Sequence, residues 1–181
     1  MHDELRTANL LGAASLALSD VVVAGAIAAV GTSSSGAAAL VVLSTDAGLS
    51  VTELGRRVGL SQSAASRMVE GLEKQGLLRR EASWRGWVRV QLTGLGAQAA
   101  HSLLASRGDV LRQALRHLDD REQEQLGQLM SKLLTGLYRR PGDGERICRL
   151  CDRGVCVRDG ASCPVGEADR GHRVAQERDH G

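Results

Sequence analysis

The chain has no Phe, and two Trp and one Tyr are its only aromatics among 181 residues. So few rings exclude the nucleic-acid modules that stack unpaired bases on exposed aromatics. The core must be built from Leu, Val and Ala, which suits helix packing. Net charge is also small, at +2, so total charge does not single out a DNA binder. Hydrophobic residues make up 43% and charged residues 24%, the balance of a soluble globular protein rather than a disordered chain. The sequence reads against a membrane span. The apolar run Ala13–Val30 has Asp20 within it and leans on Ala and Gly, and a charge near the bilayer centre is costly. Met1-His2-Asp3-Glu4 lacks the basic start of a secretory signal. The expectation is a buried helix in a cytoplasmic protein. Neither a phosphate-cradling Gly loop nor a nucleophile elbow occurs, so no enzyme is expected.

What charge there is has an uneven distribution. Residues 1–49 carry a net −3, residues 50–93 a net +4, residues 94–140 a net +2, and residues 141–181 a net −1. The positive charge is concentrated in one short segment, which suits an anionic partner there.

Periodicity divides the chain into four parts, at residues 1–36, 37–93, 94–140 and 141–181. Leu5 to about Val30 predicts a long helix, apolar nearly all round and therefore covered on several sides. Shorter helices follow at about Ala37–Thr45 and Val51–Val58, and Ser61 is placed to cap another that ends before Gly76. On that last helix Ala65, Met68, Val69 and Leu72 define the buried stripe. Alternation on both sides of residues 83–86 then predicts a β-hairpin. Two long helices follow, from Thr93 to about Leu118 and from about Asp120, where Asp120 and Gln123 have capping-box spacing. The stripe of the second is Leu126, Leu129, Met130, Leu133, Leu134 and Leu137. Pro141-Gly142-Asp143-Gly144 closes it. The fold class is mainly α with a small β-wing.

Two short helices meeting at Gly59-Leu60-Ser61 form a helix-turn-helix, which presents its second helix to a DNA major groove. Leu54, Val58, Leu60, Met68 and Val69 form its small core. Opposite them lie Gln62, Ser63, Ser66 and Arg67, short polar groups plus one guanidinium suited to phosphate oxygens and base edges. An ordinary solvated face has the same composition, so the hairpin matters.

With that hairpin, the stretch Leu49 to Gly96 resembles the MarR family of winged helix-turn-helix transcription regulators. Its best parts are Gly71-Leu72-Glu73-Lys74-Gln75-Gly76-Leu77-Leu78-Arg79-Arg80 and the closing Leu92-Thr93-x-x-Gly96. The resemblance covers about residues 5–139. It implies a homodimer joined through the first and the last two long helices, binding double-stranded DNA and answering to a small molecule. By position, it also implies that Ser61, Gln62, Ser63, Ser66 and Arg67 face the major groove and that Arg85 is the wing-tip Arg of the minor groove. Family members commonly place an Asp just before that Arg. Here the position is Trp84, which stacks on Arg85, leans on the sugar backbone, or packs the hairpin with Trp87.

All four Cys fall within sixteen residues, as Cys148-x2-Cys151-x4-Cys156-x6-Cys163. In a cytosolic chain that argues against structural disulfides. Four thiolates in one loop meet the demand of a tetrahedral metal site, with Gly154 and Gly160 letting the backbone turn. Zinc is the first expectation. An iron–sulfur cluster is the alternative, because Cys163-Pro164 resembles a ferredoxin-type ending. Metal-free thiols acting as a switch are a third. His172 is a spare ligand or simply solvated, and His101 and His117 read as surface residues.

The function expected is a dimeric, sequence-specific DNA-binding regulator, a repressor relieved by a small-molecule, metal or redox signal. One alternative is a sensor whose Cys tail governs DNA binding. Another is a winged-helix dimer used only for protein contacts.

Overall fold

A computed structural model describes residues 3–82 and 88–179. Helix α2 (Ser34–Thr45) is its hub, with every residue from Ala37 to Leu43 buried. The small side chains Ala37, Ala38 and Ala39 let neighbours approach from several sides at once. Those neighbours are α1 (Glu4–Val30), α3 (Val51–Val58), α4 (Gln62–Lys74), strand β2 (Val88–Leu92) and α5 (Gly94–Leu115). Leu40, Leu54, Val69, Leu72, Leu78, Val90 and Leu103 complete the core.

Local signals place the helix-turn-helix as the sequence predicts. Ser50 caps α3 by accepting from the Glu53 N–H at 3.1 Å. Gly59 ends α3 at φ 78°, a left-handed conformation that glycine adopts without steric penalty. Gly55 brings α3 against α4, since a Cβ there would stand 2.6 Å from Ala65 Cβ. Strands β1 (Leu78–Ala82) and β2 pair antiparallel, with Leu78 opposite Leu92 and Ala82 opposite Val88. The wing therefore exists, while Trp84, Arg85 and Trp87 lie outside the described residues.

Thr93 joins the wing to α5. Its hydroxyl accepts from the Gly96 N–H at 3.0 Å and donates to the Gly76 carbonyl at 2.6 Å. A Cβ on Gly96 would collide with the backbone carbonyl of Leu77. Gly96→Ala should therefore destabilise the fold by about 1–3 kcal/mol through overpacking. That corresponds to a fall in Tm of roughly 2–4 °C per kcal/mol, read by thermal unfolding; an unchanged Tm would refute the close approach.

Two expectations need correction. The capping box of α6 (Asp120–Leu137) uses Asp119 and Glu122, whose reciprocal bonds are both 2.9 Å, not Asp120 and Gln123. Gln123 instead donates to the Leu118 carbonyl at 3.0 Å. Second, α1 is not covered on several sides within this chain: Leu5 is 84% exposed and Leu16 70%. The stripe of α6 is equally open, with Leu129 57% and Leu137 59% exposed and no buried residue on the helix. Glu4–Gly25 is also long and apolar enough to cross a membrane, by length and composition only. The Cys-bearing tail also has secondary structure of its own. It forms α7 (Asp143–Ile147), α8 (Arg153–Cys156), a 3₁₀ turn (Arg158–Gly160) and α9 (Pro164–Asp179). Buried Tyr138 and Val165 hold this tail, with Gly144 against both. The Tyr138 hydroxyl donates to the Asp169 carboxylate, and its ring lies 5.2 Å from that of His172.

Candidate nucleic-acid interface

The polar face of α4 carries the residues expected to meet DNA. Ala65, Val69 and Leu72 are buried against the core. On the opposite side Gln62, Ser63 and Arg67 are exposed and Ser66 is half-buried. All lie in the first turns of α4, where unpaired N–H groups and the helix dipole favour phosphate. Ser61 has a structural duty as well: its hydroxyl caps α4 toward the Ala64 N–H at 3.4 Å and lies 3.3 Å from the Ser63 hydroxyl. Arg67 makes no ion pair among the described residues, so its guanidinium is available to an anion.

The rest of the basic segment is less available than its net charge suggests. Arg79 pairs with Glu81 at 2.8 Å and Arg80 with Glu73 at 3.6 Å. Arg56 and Arg57, on the outer face of α3, are held by acids. Arg56 meets Glu53 at 2.8 Å and Glu145 of α7 at 2.7 Å. Arg57 meets Asp46 at 2.5 Å, Glu53 at 2.9 Å and Glu145 at 3.4 Å. Asp46 also takes Arg153 of α8 at 3.4 Å. The tail is thus fastened to the helix that supports α4, and nothing in the local sequence around either partner signals this long-range contact.

Hydrogen bonds from Arg56 hold the Glu53 carboxyl down at about 2, outweighing burial, with Arg57 assisting. Its folded value lies below its ordinary one. The stability it contributes is therefore complete above about pH 4.5 and lost as pH falls toward 2. Glu53→Gln should melt lower at neutral pH and show a flatter acid limb over that window. An acid limb identical to wild type would show that the Glu53 network contributes nothing.

The four cysteines are free and share one cavity of about 630 Å³ with Glu145 and Arg153. The neighbouring Cys148 thiol, with Arg107, Arg153 and Arg149, holds the Cys151 thiol below its ordinary value against the opposing effect of burial. The Cys151 thiol, together with burial, pushes Cys148 up. Cys156 is also raised, first by burial. Among the described residues no three Cys, His, Asp or Glu side chains already stand as a metal ligand set. The structure brings the thiols around one hollow without closing them on a point. His172 is placed against Tyr138 instead.

Residues 31–83, from the turn before α2 through β1, match the model of the MarR family. Among solved structures, the YusO protein from Bacillus subtilis superposes with a TM-score of 0.65 over 74% of this chain and 96% of its own, at 22% identity. The fold is the MarR-like winged helix. A second MarR-like neighbour, the Mycobacterium tuberculosis MarR family protein Rv2887 in complex with DNA, superposes with a TM-score of 0.58 at 24% identity, over 70% of this chain and 95% of its own. Rv2887 has also been solved with p-aminosalicylic acid. In sequence, the transcriptional repressor MprA of Escherichia coli (strain K12) is 33% identical over 95 residues, 51% of this chain. The chain spans about half the length of the curated relatives it matches, 54% for MprA. About a quarter of the chain has no counterpart in YusO.

Proposed function

We propose that this protein is a dimeric, sequence-specific DNA-binding transcription regulator of the MarR type, a cytoplasmic repressor relieved by a small-molecule, metal or redox signal. One observation carries the reading. Helix α4 is fixed by its apolar face and offers Gln62, Ser63, Ser66 and Arg67, which has no ion pair among the described residues, beside a wing. That is the placement a major groove requires. Rv2887, of the same fold, is solved bound to DNA, and MprA is named a repressor. Neither name concerns catalysis, and no enzymatic role is proposed.

The exposed stripes of α1 and α6 support a homodimer. An eighteen-residue helix with no buried side chain does not hold by propensity alone. A second copy covering α1 and α6 would remove that apolar surface from water. A cleft of about 460 Å³ between the end of α1, Leu77 and the start of α5 offers room for the small molecule.

The direct test is binding of the whole chain to duplex DNA at several salt concentrations. Counterion release predicts that log affinity falls linearly with log salt. Absence of duplex binding at low salt would overturn the proposal.

A further inference from the structure

We propose that Cys148, Cys151, Cys156 and Cys163 form a four-thiolate metal centre that staples the tail and, through it, sets α3 against the DNA-reading helix. Two independent observations support the site. First, all four thiols are free and line the same cavity, and the Cys151 N–H donates to the Cys148 carbonyl at 2.9 Å, so the first two lie on one tight turn. Second, the tail lacks an apolar core of its own: α7 and α8 have no buried residue, and Val165 is the only buried hydrophobic among the described residues after Tyr138. A segment with so little apolar burial of its own gains stability from a crosslink. Four cysteines without a disulfide supply that crosslink through a metal, each thiol giving up its proton to solvent as the ion takes its sulfur.

The loop can close. Residues 153–162 are exposed, so drawing Cys156 inward displaces no packed neighbour. Left-handed Asp159 (φ 56°) and Gly160 (φ 80°) turn the backbone back toward Cys163. Zinc and an iron–sulfur cluster make the same demand for four thiolates, and the composition of the purified protein tells them apart.

The centre is built against the reading head. Leu150, between the first two cysteines, packs on the main core. Glu145, three residues before Cys148, grips Arg56 and Arg57, while Arg153, beside Cys151 and Cys156, grips Asp46. Glu145 Oε2 meets Arg56 at 2.7 Å, so this tie depends on where the tail sits. A loaded centre holds α7 and α8 in register with these partners. Its loss releases the outer face of α3, and α3 meets α4 at the close Gly55–Ala65 contact. This control function rests on the DNA-binding reading; the metal site does not.

The test uses the full chain purified without oxygen. Metal and sulfide analysis should find about one zinc per chain and no colour, or iron with sulfide and absorbance near roughly 400 nm. Either result supports the centre. Metal well below one per chain, with no uptake of added Zn²⁺ and no change in the tail's protease resistance, overturns it. Stripped wild type is then compared with the loaded form for duplex binding. A loss of about 5- to 150-fold on stripping, restored by reloading, supports control of the head. Equal affinity overturns control and leaves the centre standing. A loaded protein that binds no duplex at all overturns the DNA reading instead. Cys151→Ser with Cys163→Ser should match the stripped form, while the helix-turn-helix still melts cooperatively; retention of full metal by this variant also overturns the site.

Discussion

Arg67→Ala should weaken binding to a specific duplex by about 1–3 kcal/mol, roughly 5- to 150-fold, if the guanidinium reads a base edge. The expectation follows from its position. Arg67 is exposed on α4, one helical turn after Ser63 and opposite the buried Ala65–Val69–Leu72 stripe. Among the described residues it is spared the ion pairs that occupy Arg56, Arg57, Arg79 and Arg80. Because its side chain does not contribute to the core, the variant should keep the wild-type Tm. Titration of labelled duplexes separates two roles. A lost base contact reduces the preference for the specific site over random sequence, whereas a lost phosphate contact weakens both and lowers the salt slope by about one. Unchanged affinity for both would mean that α4 does not face DNA and would favour a winged-helix dimer used for protein contacts.

A second large effect is expected from Leu129→Glu combined with Leu133→Glu on α6. Both side chains are well exposed in the single chain, at 57% and 43%, so the substitutions leave its own core intact. In a dimer they would bury carboxylates against apolar neighbours, which is strongly unfavourable without partners. Wild type should sediment at twice the 19.2 kDa chain mass, and the variant at the monomer mass. Duplex affinity should then fall by about 10²–10⁴, because two linked reading heads gain that much from effective concentration. A monomeric wild type would overturn the dimer. It would also leave the apolar α1, long enough to cross a membrane, in need of another cover.

Much of the helix-turn-helix was legible in the sequence because its signals are local. The 3–4 spacing of Ala65, Val69 and Leu72, the caps at Ser50 and Ser61, and Gly59 each act within a few residues. The hairpin followed from alternation around Val90, the side chain that is fully buried. Where the reading failed, longer-range physics decides. Apolar periodicity says that α1 and α6 must be covered, yet not that the cover lies outside the chain. Helix α9 escaped notice because Val165 is the only buried apolar residue among its described ones, and such a face has no periodic pattern. The ion pairs from Glu145 to Arg56 and Arg57 join residues almost ninety positions apart, so no spacing could announce them. The small capping shift, from Asp120 to Asp119, arose because two adjacent acids offer the same signal.

The most direct measurement is selection of bound duplexes from a random-sequence pool by the full-length protein, followed by footprinting of the enriched site. A twofold-symmetric reader with one α4 per subunit should enrich an inverted repeat whose half-sites lie about one helical turn, roughly 34–36 Å, apart. Arg67→Ala should erase preference at one symmetric pair of positions within it. No enriched sequence, or enrichment that Arg67→Ala leaves unchanged, would contradict a DNA-reading role for α4.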